Sequence, residues 1–204
     1  SVDGVEDALE DTVSQYRLDR MKGQKNYIEL WVEKDALSGV LRRVTEEYHV
    51  NLMVNRGYSS CTAMHDAFER IKAAHNRGQK STILYLGDHD PSGLDMIRDI
   101  TSRLYGFGAG QECVNVVGIG LTTAQVKKYN PPPNPAKFKD PRAKDYIAEF
   151  GPTSWEVDAL NPKVLHALVR KNVEKLIDKT LFERCLNQEK SDKARLMRLA
   201  EIEV

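Results

Sequence analysis

Asp88 and Asp90 stand one residue apart, just past a short apolar run, Thr82 to Leu86. Pro91, Ser92 and Gly93 follow at once, and then a helical pattern begins. A strand alternates its side chains with period two, so the two aspartates point the same way. Two carboxylates aimed together repel each other as anions. A hard, oxygen-seeking divalent cation such as Mg²⁺, or Mn²⁺ in its place, relieves that repulsion. Glu33 closes an earlier strand-like run, Tyr27 to Val32, and supplies a third carboxylate. Three such groups at neighbouring strand ends could hold one or two ions. Ions so held stabilise charge on a phosphoryl oxygen, activate a water or hydroxyl and orient an in-line displacement. The plainer reading of 88–93 is a turn, since Asp, Pro, Ser and Gly all form turns. For Glu33 the plainer reading is a surface carboxylate paired with Lys34.

Periodicity supplies the elements that must position these residues. Val5, Leu9, Val13, Tyr16 and Met21 predict an amphipathic helix over 4–21. Strands are expected at 27–32, 51–54, 81–87 and 113–118, and helices at about 36–48, 61–76 and 92–104. Ser59 or Ser60 is placed to cap the second of these helices, and Asn161 with Pro162 to open a later one. Strands alternating with helices across short loops predict an α/β fold with a mostly parallel sheet. Such sheets bind ligands beyond the C-terminal ends of their strands, at a topological switch point. The helix after Asp90 would turn free N–H groups toward that crevice, where a phosphate could sit.

From Gly120 the texture changes. A short helix is expected at 122–129, and Asn130 to Pro135 is too rich in proline for regular structure. Trp155 to Leu160 reads as a short strand or turn. A helix over 162–186 carries Leu165, Leu168, Val169, Val173, Leu176, Ile177 and Leu181, and the tail from Ser191 is a further helix or frays. The chain thus divides into an N-terminal helix and linker (1–26), a central domain (27–160) with a basic, proline-rich insertion near 122–146, and a C-terminal helical extension (161–204).

The bulk numbers narrow the setting. At 41% hydrophobic and 29% charged, the 204 residues suit an ordinary globular protein. No apolar run reaches the length of a membrane span, and no secretory signal opens the chain. Three scattered cysteines fit a reducing compartment, cytoplasmic or nucleoid-associated, and argue against a disulfide scaffold or zinc site. The net charge is zero, so any nucleic-acid footprint must be local.

The runs Val32-Glu33-Lys34-Asp35-Ala36-Leu37, Gly57-Tyr58-Ser59 and Gly87-Asp88-His89-Asp90-Pro91-Ser92-Gly93 resemble a Toprim domain. They are most similar to the branch found in the topoisomerase VI A subunit and the related meiotic double-strand-break protein. Trp155-Glu-Val-Asp-Ala-Leu160 also resembles a segment of that branch, so the likeness spans roughly residues 27 to 160. It implies a Rossmann-like Toprim fold and Mg²⁺-dependent phosphodiester chemistry on DNA, of a nuclease or topoisomerase kind. Glu33 would be a metal ligand or general acid/base, and Asp88 and Asp90 metal ligands. One departure matters. In topoisomerase VI the strand-cutting tyrosine lies in a winged-helix domain before the Toprim domain, and only about one helix precedes the first strand here. Tyr16 lies in that helix, where its spacing with Leu9 and Val13 favours packing. The expectation is therefore no covalent tyrosyl–DNA link by this chain alone. Either a winged-helix domain or ATPase partner completes it, or water is the nucleophile, as in OLD-family nucleases.

Weaker candidates surround the site. Lys34 could neutralise a phosphate or pair with Asp35, and Arg56 could touch a phosphate or lie in solvent. Lys127, Lys128, Lys137 and Lys139 could follow a nucleic-acid backbone, or belong to a solvated loop. His89 should face away from the aspartates and pack. Glu156 and Asp158 alternate toward one side and could approach the crevice, though a capping or salt-bridge role is the safer reading. The 162–186 helix leaves room for a homodimer contact. Two other functions compete: a non-catalytic module binding DNA or a partner, and a phosphatase with an Asp nucleophile. The phosphatase is disfavoured because Glu33 stands where that Asp would end the first strand.

Overall fold

The structure is a computed structural model and describes residues 2–55, 60–135 and 142–202. In chain order it contains α1 (Val2–Gln15), β1 (Asn26–Val32), α2 (Ala36–Tyr48), β2 (Asn51–Val54), α3 (Cys61–Asn76), β3 (Lys80–Leu86), α4 (Pro91–Gly106) and β4 (Val114–Gly120). Then come α5 (Thr123–Tyr129), β5 (Asn134–Pro135), α6 (Ala143–Phe150), β6 (Thr153–Ser154), a short 3₁₀ turn (Val157–Ala159), α7 (Pro162–Glu174) and α8 (Lys179–Ile202). The chain divides into two compact units, residues 25–177 and the pairing of 1–24 with 178–204.

The larger unit is an α/β fold. Its four-stranded sheet is wholly parallel, in the order β2-β1-β3-β4. The strands of such a sheet are covered on both faces and so read as continuous apolar runs, as β3 does from Ile83 to Leu86. On one face Trp31, Ile83 and Tyr85 pack with Met64 and Ile71 of α3 and Met96 and Ile100 of α4. On the other, α2 packs with α7. Burying each of these large side chains contributes on the order of 1.5–3 kcal/mol. The helix starts are built from local chemistry. Ser60 accepts the Ala63 N–H at α3, and Asn161 accepts the Lys163 N–H at α7, with Pro162 in the first turn. Thr122 and Gln125 close a reciprocal capping box at α5.

The chain leaves β1 into α2 on one face and leaves β3 into α4 on the other. The adjacent C-terminal ends of β1 and β3 therefore form a switch point, and Glu33 and the Asp88–Asp90 segment follow these two ends.

Several elements differ from the periodicity reading. The expected 4–21 helix stops at Gln15, and the Asp19 carboxylate instead accepts the Met21 N–H in a turn. The expected single helix over 162–186 is two. Asp178 accepts the N–H groups of Thr180 and Leu181 and so opens α8 afresh. α8 then runs through Ser191 without a break. Of the short strand or turn expected at Trp155–Leu160 the structure forms the turn, the 3₁₀ turn, preceded by a single bridge from Trp155 to His89. α6 was not expected at all. In the smaller unit Glu189 accepts from Arg20 (2.9 Å) and from the Leu18 N–H (3.1 Å), and Tyr16 donates to Asp192 (3.2 Å). Among the described residues no helix is long and apolar enough to cross a membrane.

Candidate functional site

The β1–β3 ladder continues one step past the strands, where the Glu33 N–H donates to Leu86 O (3.3 Å). Glu33 lies two residues beyond Trp31, so its side chain stands on the same face as Trp31 and Tyr85. There the Tyr85 hydroxyl and the Asp88 backbone N–H both donate to its Oε2, each at 3.2 Å. Tyr85 reaches that far because residue 87 is glycine. A Cβ at Gly87 would fall 2.5 Å from the Tyr85 hydroxyl and ring. Burial, reinforced by the charge of Glu33, raises the Tyr85 pKa, so the phenol stays protonated and donates.

Asp88 and Asp90 lie beyond the end of β3, in extended chain held by two bonds between His89 and Trp155. Both are buried, at 6% and 5% exposed. Asp88 Oδ1 accepts the Val157 N–H at 2.8 Å, and Oδ2 faces Lys34 Nζ at 3.3 Å. Asp90 is the N-cap of α4, its Oδ1 accepting the Gly93 N–H (2.7 Å) and the Ser92 hydroxyl (2.8 Å). The cap thus already uses one of the free N–H groups expected to meet a phosphate. Gly93 is required for this loop: a Cβ there would sit 2.3 Å from the Asp88 carbonyl oxygen.

Lys34 is the ammonium of the cluster. Besides Asp88 it contacts Asp158 Oδ1 at 3.0 Å and Glu156 Oε2 at 3.1 Å. Of the two pairings foreseen for Glu156 and Asp158, the structure makes the salt bridge, and it brings both residues to the crevice by that route. Burial alone would lower the Lys34 pKa, but the bond to Asp158 and the Asp88 charge outweigh it and hold the amine protonated. Among the described residues, Glu33, Asp88, Asp90, Glu156 and Asp158 stand around this ammonium. The Glu33 pKa is raised by burial and then by the charge of Asp88, against the opposite pull of the Asp88 N–H. Burial also raises Asp88, partly countered by the Val157 N–H and Lys34.

His89 points away from the aspartates. Its Nδ1 lies 2.9 Å from the Tyr146 hydroxyl and its Nε2 3.0 Å from that of Thr123, with Phe150 and Trp155 edge-on to the ring. The Tyr146 hydroxyl donates its single hydrogen to a carbonyl, His89 O or Thr153 O. It therefore accepts from Nδ1–H, which leaves Nε2 to accept from Thr123. Burial lowers the His89 pKa, consistent with a neutral packing residue. Lys127 and Lys128 are exposed in the last turn of α5, where Lys128 lies over the Tyr129 ring. Arg56, Lys137, Lys139 and the Gly57-Tyr58-Ser59 motif lie outside the described residues.

Two contributors escaped the sequence reading. Tyr85 lies within the apolar run that ends in Leu86, and Asn55 falls one residue past the strand expected at 51–54. Asn55 is 1% exposed at the end of β2, and its period-two spacing from Met53 was the available signal.

Among the described residues no group of three or more His, Cys, Asp or Glu side chains is arranged to grip a metal ion as it stands. The donor set nonetheless fits a hard divalent cation in kind: Glu33, Asp88 and Asp90 offer only carboxylate oxygens. The Tyr85 and Asp88 bonds to Glu33 both use Oε2, which leaves Oε1 without a hydrogen bond among the described residues. No protein-family model, curated protein or solved structure matches the chain.

Proposed function

We propose that this chain carries out Mg²⁺- or Mn²⁺-dependent phosphodiester chemistry on DNA through a Toprim-type acidic site. Glu33, Asp88 and Asp90 would hold the cation. One observation carries the reading: Glu33 Oε2 accepts the Asp88 N–H across the β1–β3 switch point, joining the two acidic motifs. Concentrated, partly buried carboxylate of this kind is compensated most directly by a divalent cation. When bound, that cation supplies Lewis-acid stabilisation of charge on a phosphoryl oxygen. The chain's own residues orient the ligands: Tyr85 and the Asp88 N–H fix Glu33, Val157 fixes Asp88, and α4 fixes Asp90.

The test is nicking of supercoiled plasmid with and without Mg²⁺ or Mn²⁺, comparing the wild type with Glu33→Gln and Asp88→Asn. Metal-dependent nicking lost in both folded variants supports the reading, and equal nicking in a variant rejects it.

A second reading is a non-catalytic module that binds DNA or a partner subunit. It is favoured by the structural employment of Asp88, bonded to Val157 and Lys34, and of Asp90 as a helix cap. It predicts salt-sensitive DNA binding with no turnover in any metal.

A further inference from the structure

Asn55 carries a buried amide in which neither Oδ1 nor Nδ2 has a hydrogen-bond partner among the described residues. Leaving such groups unpaired is unfavourable by about 1–3 kcal/mol each, and native folds rarely tolerate it without a reason. Its place is specific. The β1–β2 register pairs Trp31 with Met53 and Val32 with Val54. The Asn55 N–H then donates to Val32 O at 2.7 Å, which carries the ladder one step further and sets Asn55 opposite Glu33. Met53 packs on the Trp31 face, so Asn55, two residues on, shares the face that carries Glu33. Glu33 presents Oε1 there without a hydrogen bond among the described residues, because Tyr85 and Asp88 both use Oε2. An amide this enclosed takes a partner the size of water rather than a phosphodiester, and enclosed waters bridge polar groups left unmatched.

We propose that Asn55 is a positioning residue of the acidic site, orienting Glu33 through ordered water. Asn55 Nδ2–H donates to a water, which donates in turn to Glu33 Oε1. The role rests on the proposed cation site and adds a third strand, β2, to its support. Outer partners of this kind tune metal affinity about 10- to 100-fold.

The test measures Mn²⁺ affinity by titration calorimetry and Tm without metal, for the wild type, Asn55→Leu and Asn55→Ser. Leucine removes the amide at similar volume, and serine keeps a hydroxyl with room for a further water. The expected result is affinity about tenfold weaker in N55L, partly recovered in N55S, with no fall in Tm for N55L. Unchanged affinity in N55L overturns the role of Asn55 alone and leaves the cation site standing. A lowered Tm in both variants without recovery by N55S likewise overturns it, since that is the behaviour of a structural residue. A wild type that binds no Mn²⁺ overturns the cation site itself. Asn55→Ala carries the same comparison if the leucine variant fails to fold.

Discussion

Lys34 Nζ lies 3.3 Å from Asp88 Oδ2 while also reaching Asp158 and Glu156. It is an internal counterion standing beside a carboxylate proposed to bind metal. Replacing it by methionine removes positive charge that opposes an incoming cation. Lys34→Met should therefore bind Mn²⁺ several-fold more tightly, while losing roughly 1–3 kcal/mol of stability with its charge-assisted hydrogen bonds. Calorimetric titration and urea denaturation check the two halves separately. Weaker Mn²⁺ binding in a folded variant would mean that Lys34 organises the site rather than competes with the ion.

Glu33 gives stability a definite dependence on pH. Burial, then the Asp88 charge, raises its pKa above the ordinary carboxyl value. A group whose folded pKa is raised stabilises fully below its unfolded pKa, and that contribution is lost as pH rises through the folded one. Wild-type Tm should thus lose this contribution upward from about pH 4, where an unfolded glutamate titrates. Glu33→Gln does not titrate, and its amide oxygen can still accept from Tyr85 and Asp88. The difference Tm(E33Q) minus Tm(wild type) should grow with pH, and Mg²⁺ should shrink it by restoring the wild type. A difference that is flat in pH would show that Glu33 ionises as freely in the fold as outside it.

The parallel sheet was legible because its strands are apolar runs punctuated by capped helices. β2, α2 and α3 fall at the expected residues, 51–54, 36–48 and 61–76. The three carboxylates were legible as strand-end residues at Glu33, Asp88 and Asp90. Their hydrogen bonds were not, because neither a tyrosine inside an apolar strand nor a backbone N–H 69 residues beyond Asp88 shows in the sequence which carboxylate it will meet. α6 was hidden by its setting: it is eight residues long, buries only Ala143 and Tyr146, and follows a proline-rich stretch. The break at Asp178 was hidden by an apolar stripe that continues across it, since capping at one residue outweighs periodicity only locally.

Asp90 separates a fold role from a ligand role. As the N-cap of α4 it needs only an acceptor oxygen, which asparagine supplies. Asp90→Asn should keep stability within about 0.5 kcal/mol of wild type, whereas Asp90→Ala should lose about 1 kcal/mol with the cap. If Asp90 also binds the cation, the asparagine variant loses metal-dependent nicking despite its intact fold. Full nicking by a stable D90N would reduce Asp90 to a cap.

Glu29 on β1 and Glu33 just past its end lie four residues apart on the same face, and their surroundings assign them opposite tasks. Glu29 is 1% exposed and fully engaged. Arg70 grips it at 2.7 and 3.0 Å, Tyr27 donates at 2.7 Å and the Trp31 indole at 2.8 Å. Glu33 receives two longer bonds on one oxygen and, among the described residues, none on the other. Glu29→Ala strands the Trp31 N–H and unpairs Arg70. It should lose roughly 2–4 kcal/mol, less than a fully buried broken pair because the Arg70 head can turn to solvent. Below its lowered Tm the variant should still nick DNA and bind Mn²⁺ like the wild type. E33Q should do the reverse, holding or gaining stability at neutral pH while losing metal binding. Matched urea titrations and Mn²⁺ isotherms on the two variants decide it. If E29A loses metal binding while still folded, the buried Arg70 network supports the site as well as the sheet, and the two carboxylates do not act independently.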